Sequence, residues 1–88
     1  MDSELLIKSY TKYIKLIVVP RFPDILDFEI KYTPESDGAY PKFEFTFLMD
    51  GTEYEVEEEI QESIFDMFDY FKGSQNKRVI AFDFKTEL

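Results

Sequence analysis

Apolar and polar residues change their spacing along the chain, and each change predicts a different element. From Ser3 to Val19 the apolar positions recur at helical spacing, which predicts a first helix that Pro20 ends. Its apolar face comprises Leu6, Tyr10, Tyr13, Ile14 and Ile17. Residues 26–32 and 43–49 instead alternate apolar with polar, as expected of strands with one buried face.

The Asp50-Gly51 pair predicts a β-hairpin, because a two-residue type I′ turn needs a positive φ at both central positions. A third strand would then follow over residues 52–56, with Phe47 facing Tyr54 across the hairpin. Aromatic and β-branched side chains would meet on one face of that pair, which is what a half-buried hairpin requires.

A second helix is predicted from Glu57 to Lys72, where the spacing is helical again. Its apolar stripe comprises Ile60, Ile64, Met67, Phe68 and Phe71. Gly73 follows in the position of a C-terminal helix cap. Residues 80–85 alternate apolar with polar and predict a fourth strand.

These elements predict one α+β domain over residues 1–88, with the order α-β-β-β-α-β. The simplest arrangement has two layers, with both helices on one face of a mainly antiparallel four-stranded sheet. The aromatic residues of the strands would form the core: Phe28, Phe43, Phe45, Phe47, Tyr54, Phe82 and Phe84. An exposed aromatic platform that stacks RNA bases is the alternative for these rings.

Composition narrows the chemistry that the chain could perform. It has no histidine and no cysteine, which removes the usual general base, the thiolate nucleophile and Cys/His zinc sites. Three glycines form no phosphate-binding loop, and Asp50-Gly51-Thr52-Glu53 lacks the ligand spacing of an EF-hand. We therefore expect no enzyme, no cofactor and no metal site.

The charge of the chain is strongly negative and unevenly distributed. The net charge is −9, which argues against direct binding of nucleic acid because phosphate contacts need a surplus of lysine and arginine. Residues 1–21 carry a balance of +2, whereas residues 50–72 carry −8. The candidate partner-binding residues lie in that second segment: Asp50, Gly51, Glu53, Glu55, Glu58, Glu59, Glu62, Asp66 and Asp69.

Two interpretations of the acidic segment stay open. It could be a solvated face that keeps a small domain soluble. It could also be an anionic surface that docks into the basic groove of a nucleic-acid-binding protein. The face of the predicted sheet that the helices leave open is expected to add further carboxylates to this anionic surface. They are Asp27, Glu29, Glu44, Glu53, Glu55 and Asp83, and Lys31 and Lys85 partly offset their charge.

A non-catalytic adaptor or self-associating module is the alternative function. Lys8, Lys12 and Lys15 lie together on the first predicted helix and could pair with the acidic helix of a second copy, giving a weak homodimer. Double-stranded-RNA-binding domains share the α-β-β-β-α order but place lysines at the start of their second helix. Here that position holds Glu57, Glu58 and Glu59, which excludes this mode of RNA binding.

No segment of the chain has the pattern of a targeting or membrane sequence. Lysines interrupt the apolar N-terminal region, and no run approaches the roughly 20 apolar residues of a membrane span. We therefore expect a cytoplasmic protein and no membrane partner.

The segment from Asp50 to Val56, followed by Glu62-Ser63-Ile64 and Phe68, resembles the hairpin and helix of small acidic type II-A anti-CRISPR proteins of phages. The last five residues, 84–88, are also similar to the ending seen in that group. The resemblance implies a DNA mimic, encoded by a phage and located in the host cytoplasm, whose carboxylates occupy the site where an RNA-guided nuclease reads duplex DNA. Asp50, Gly51 and Glu53 would belong to the contact surface. The family's acidic stretch after the second helix is absent here, since residues 73–78 are polar or basic.

Overall fold

The computed structural model describes residues 3–51, 53–71 and 77–86. Over these residues the chain forms two helical segments and three strands. The first segment, here the N-terminal helix, comprises α1 (Ser3–Tyr13), a π-helical turn (Ile14–Val18) and α2 (Val19–Arg21). The elements that follow are β1 (Ile25–Thr33), β2 (Lys42–Met49), α3 (Tyr54–Tyr70) and β3 (Val79–Thr86).

The three strands form a mixed sheet in the order β1-β2-β3. β2 is the central strand, and it pairs antiparallel with β1 and parallel with β3. The broad α+β class agrees with this structure. The predicted α-β-β-β-α-β order and four-stranded, mainly antiparallel sheet are wrong, because the segment assigned to the third strand belongs to α3 and the last strand runs parallel to β2.

The pattern that predicts a third strand is too short to identify one. Over residues 52–56 an alternation of apolar and polar residues fits a strand, yet Val56 also lies one helical turn before Ile60 and continues the apolar stripe of α3. The helix buries Ile60 completely and packs Val56 against the core, while Tyr54, predicted to be core, is 75% exposed. The predicted pairing of Phe47 with Tyr54 is therefore wrong.

The chain contains two Asp-Gly pairs, and the one predicted to form the hairpin does not. Asp50-Gly51 leads from β2 directly towards α3, with Gly51 at φ 81°. The pair Asp37-Gly38 instead forms a tight turn inside the β1–β2 connection, where the Ala39 N–H donates to the Ser36 carbonyl at 2.8 Å. Gly38 there has φ 75°. Both turns require a backbone conformation that glycine adopts without strain, so the dipeptide alone does not select the hairpin.

The core lies between one face of the sheet and both helical segments. β2 contributes four buried side chains in alternation: Phe43, Phe45, Phe47 and Met49. The Tyr10 ring of the N-terminal helix lies edge-on to Phe43, and Phe68 of α3 lies edge-on to both Phe43 and Phe45. Phe28 on β1 and Phe82 and Phe84 on β3 are partly buried against this cluster, so the predicted core set is correct apart from Tyr54.

Pro20 does not end the N-terminal helix, contrary to the prediction, because a π-helical turn precedes it. In a regular α-helix the proline ring would clash with the carbonyl four residues earlier. Here the Val19 N–H donates to the Ile14 carbonyl, a spacing of five residues that widens the helix just before the proline. Because the π-helical turn contains one more residue than an α-helical turn, the residue that faces the core after it lies one position later in the chain. Val18 is therefore fully buried, whereas Ile17, predicted to face the core, is 41% exposed.

This shift predicts that two neighbouring β-branched residues differ in their contribution to stability. Val18→Ala should lower the free energy of unfolding by about 1–3 kcal/mol, because it leaves a cavity in the core. Ile17→Ala is the matched control, with a similar change in helix propensity, and should cost less than about 1 kcal/mol. Urea denaturation of both variants checks this. A larger loss for Ile17→Ala would show that the helix continues without the π-helical turn.

Candidate functional site

Helix α3 carries most of the candidate site residues along its solvent face. Six carboxylates recur there at spacings of three or four residues and lie within an arc of about 100°. This acidic stripe comprises Glu55, Glu58, Glu59, Glu62, Asp66 and Asp69, and all six residues are exposed. The structure therefore brings together six of the nine residues that the sequence singled out.

The opposite side of α3 fixes the direction in which the acidic stripe points. Ile60, Ile64 and Met67 are fully buried against the sheet and the N-terminal helix. The Phe68 ring contacts three other rings. Its centroid lies 5.0 Å from that of Tyr10, 5.6 Å from that of Phe43 and 6.0 Å from that of Phe45. Because this apolar side faces the sheet, the acidic stripe faces away from the sheet into solvent.

Glu55 reaches the acidic stripe because α3 starts earlier than predicted. The sequence pattern predicts Glu53 and Glu55 on the open face of the sheet, which is wrong. Glu55 lies in the first turn of α3, where the positive end of the helix dipole stabilises a carboxylate. Glu53 is the N-cap residue, and its carbonyl accepts hydrogen bonds from the backbone N–H groups of Val56 and Glu57.

The remaining two candidates, Asp50 and Gly51, lie in the exposed turn that leads to α3. The Asp50 N–H donates to the Asp24 carbonyl at 2.7 Å, which ties the end of β2 to the chain just before β1. The side chain of Asp50 has no part in that bond. These turn residues are therefore adjacent to the start of the acidic stripe along the chain, at a strand-to-helix connection rather than a hairpin tip.

Within the described residues, no carboxylate of the acidic stripe forms an ion pair. The lysines predicted to offer a complementary surface, Lys8, Lys12 and Lys15, are exposed on the N-terminal helix. An ion pair lies instead on the open sheet face, where Lys42 Nζ and Glu44 Oε1 are 3.3 Å apart. Among the described residues, no ion pair therefore offsets the negative charge of the acidic stripe.

The open face of the sheet has a mixed charge, unlike the acidic stripe. The register places Glu29, Thr46 and Asp83 in one cross-strand row and Lys31, Glu44 and Ala81 in the next. Lys42 and Lys85 lie on the same face and offset its carboxylates. This face is therefore a weaker candidate for an anionic surface than the sequence predicted.

Tyr54 reports the negative potential at the beginning of the acidic stripe. The pKa of its phenol is raised above the ordinary value of 10.0, first by the negative charge of Glu58 and second by the hydrogen bond that the phenol donates to that carboxylate. Smaller contributions come from burial and from the charge of Glu57. The charges of Glu58 and Glu57 disfavour ionisation of the phenol, because the phenolate would be a further negative charge beside them.

Two aromatic rings that the sequence did not single out for the site border the acidic stripe. Tyr54 flanks it on one side and Tyr70 on the other, and both rings are largely exposed. The signal was present in the sequence, because both residues lie outside the apolar stripe once the helix is drawn from residue 54.

The described residues limit two further kinds of site. They contain no group of three or more histidine, cysteine, aspartate or glutamate side chains placed to hold a metal ion. No helix among them is both long enough and apolar enough to cross a membrane.

No protein family, curated protein or solved structure matches the chain. The resemblance to type II-A anti-CRISPR proteins therefore stays a prediction. The hairpin on which it partly depended is replaced by a strand-to-helix turn, since Tyr54 to Val56 are helical. The acidic character of the segment does not depend on that hairpin.

The phenol of Tyr54 provides a direct measurement of the local potential. Glu58→Gln should lower the pKa of Tyr54 towards its ordinary value, because the largest cause of the upward shift is removed. Glu59→Gln removes the same charge from the next position and should leave the pKa nearly unchanged. NMR titration of the Tyr54 ring signals in both variants measures the difference. Equal pKa values in the two variants would contradict the contact with Glu58.

Proposed function

We propose that this chain is a small protein-binding inhibitor that mimics DNA. Its partner is a nucleic-acid-handling protein with a basic groove, of which a CRISPR effector nuclease is one instance. The acidic stripe enters the groove in place of the nucleic-acid backbone. The mechanism is steric and electrostatic competition, and no bond is made or broken.

The spacing of the acidic stripe is the observation that carries this proposal. From Glu55 to Asp69 the helix advances fourteen residues, or about 21 Å at 1.5 Å per residue. Six carboxylates over that length correspond to roughly one charge per 4 Å, compared with about 3.4 Å per phosphate along one strand of duplex DNA. A groove that binds about six nucleotides of one strand would therefore meet a similar line of negative charge.

The residues around the acidic stripe also suit a cationic partner. Tyr54 and Tyr70 border it with exposed rings. A guanidinium group can lie on an aromatic face while it donates two hydrogen bonds to a carboxylate, so this combination favours arginine over lysine. Arginine, like lysine, also contacts phosphates and the edge of guanine in DNA-binding proteins.

The like charges of the acidic stripe destabilise α3, which argues against a role in solubility alone. Glu58 and Glu62, and Glu62 and Asp66, are like charges four residues apart on one helix, and each such pair destabilises the helix by a few tenths of a kcal/mol. A solvated helix face would avoid this cost by mixing signs, as the open sheet face does. A basic groove would remove the repulsion by supplying counter-charges.

Neutralising the acidic stripe tests the proposal. The full chain is immobilised, exposed to host cell lysate, and eluted with a short duplex DNA at moderate salt. For the variant Glu58→Gln, Glu62→Gln, Asp66→Asn, the amount of protein displaced by DNA should fall about tenfold or more. The matched control is Glu29→Gln, Glu35→Gln, Asp37→Asn, which removes the same charge from other exposed positions and should retain binding within about twofold.

Two results would contradict the proposal. One is equal capture by the acidic-stripe variant and the control, which would mean that net charge and not its location matters. The other is a set of captured proteins that duplex DNA does not displace.

The turn that contains Asp50 is tested separately with Asp50→Lys combined with Glu53→Lys. If this variant loses DNA-displaceable binding, the turn belongs to the contact surface.

A further inference from the structure

β3 leaves one of its edges without a partner among the described residues, since it ends the strand order of the sheet. Its pairing with β2 runs without a register shift from Val79 to Thr86. A long, regular edge strand offers unpaired backbone N–H and C=O groups to another strand. The free edge of β3 is therefore a surface for strand addition.

The other edge of the sheet is protected, in contrast to that of β3. β1 carries a register irregularity between Ile25 and Asp27. Bulges are one of the devices by which proteins block edge-to-edge pairing. β3 has no irregularity over its eight residues, and the two charges that it carries, Asp83 and Lys85, are of opposite sign.

We propose that the occupant of the β3 edge is the β3 strand of a second copy of this chain. The two strands run antiparallel about a two-fold axis that passes between the two Phe84 residues. The argument for this partner is the self-complementary charge of the strand, because Asp83 and Lys85 lie two residues apart on the same face. This interface is independent of the proposed DNA mimicry and of the lysines on the N-terminal helix.

The hydrogen bonds within the sheet determine which groups of β3 are available. The Val79 N–H donates to the Pro41 carbonyl at 2.8 Å, so the odd-numbered residues of β3 direct their backbone groups to β2. Backbone groups alternate in direction along a strand, so Phe82, Phe84 and Thr86 direct theirs to the free edge. These residues must form the hydrogen-bonded pairs of any antiparallel partner strand.

One register satisfies both the hydrogen bonds and the charges. If Phe84 pairs with Phe84 of the second copy, Phe82 pairs with Thr86 and about six backbone hydrogen bonds form across the edge. Asp83 then lies directly opposite Lys85, twice, in the non-hydrogen-bonded positions where side chains approach most closely. If the partner strand slides by two residues, Asp83 lies opposite Asp83 of the second copy. The two like charges then destabilise the pair.

The dimer would also cover an exposed ring on the helical layer. Phe65 of α3 is 46% exposed, and its ring centroid lies 5.8 Å from that of Phe82 on β3. Because the two-fold axis is perpendicular to the sheet, both copies keep their helices on the same side of a continuous six-stranded sheet. Phe65 from each copy then lies beside the joint, where its apolar surface can be buried.

Charge exchange at the edge tests this dimer. Sedimentation of the full chain from ~0.05 to ~1 mM in ~0.15 M NaCl should show a dimer for the wild type. Asp83→Lys alone or Lys85→Asp alone places like charges opposite each other and should raise the dissociation constant about tenfold or more. The double exchange of Asp83→Lys with Lys85→Asp should restore dimerisation. An equimolar mixture of the two single variants should restore it as well, through heterodimers.

The controls separate this edge from other modes of self-association. Lys31→Asp changes a charge on the same open face but on β1, and Lys12→Glu changes the lysine face of the N-terminal helix. Both should leave the dissociation constant within about twofold of the wild-type value. Thermal unfolding monitored by circular dichroism confirms that each variant is folded.

Three results would overturn the inference. They are a wild type that stays monomeric at ~1 mM, a single exchange that dimerises as well as the wild type, and a double exchange that fails to recover the dimer. None of these results bears on DNA-displaceable binding by the acidic stripe, so the two proposals can fail separately.

Discussion

The row of apolar side chains on β2 is the interaction on which the rest of the structure depends. Phe43, Phe45, Phe47 and Met49 are buried beneath both helices, and β2 also pairs with a strand on each side. Phe45 stacks on Phe82 with centroids 5.8 Å apart, and Phe47 stacks on Phe84 at 5.6 Å. Burial of such side chains contributes roughly 1.5–3 kcal/mol each, and both helices and both neighbouring strands make their core contacts through this row.

The parallel pairing of β2 with β3 explains how the acidic stripe comes to face solvent. Two parallel neighbours cannot be joined by a tight turn, so the chain must cross over the sheet between them, and α3 makes that crossing. The apolar side of α3 packs on the aromatic row, and its acidic side is consequently turned outwards. The repulsion within the acidic stripe is tolerated because burial of Ile60, Ile64 and Met67 outweighs it.

The two proposed surfaces consist of different residues and can operate together. The acidic stripe lies on the outer side of the helical layer, while the free edge of β3 lies at the side of the sheet. A dimer through that edge would present two acidic stripes on the same side of one continuous sheet. Such an arrangement would let one dimer engage two basic grooves, or one extended groove with higher avidity.

Local patterns in the sequence predicted the elements well where one spacing persisted. The alternation in β1, β2 and β3 identified all three strands, and the stripe from Ile60 to Phe68 identified the buried side of α3. Prediction failed at Tyr54 and Val56, because five residues cannot distinguish a period of two from a period of 3.6. It also failed at Ile17, since a π-helical turn inserts one residue without a sequence signal of its own.

The direction of β3 could not have been predicted from local pattern, because strand pairing over more than thirty residues depends on tertiary packing. The sequence singled out the acidic residues as candidates, and that role stays a prediction; their arrangement as a single line required the true start of α3. The exposed edge of β3 was likewise invisible until the strand order was known.

Nuclear Overhauser contacts across the sheet test the central claim most directly, since parallel and hairpin pairing bring different residues together. If β3 lies parallel to β2, contacts should join Phe45 to Phe82 and Phe47 to Phe84, and residues 54–58 should show the sequential amide contacts of a helix. Contacts between Phe47 and Tyr54 and between Phe45 and Val56 would instead reveal a hairpin. That result would contradict the parallel sheet and, with it, the orientation of the acidic stripe.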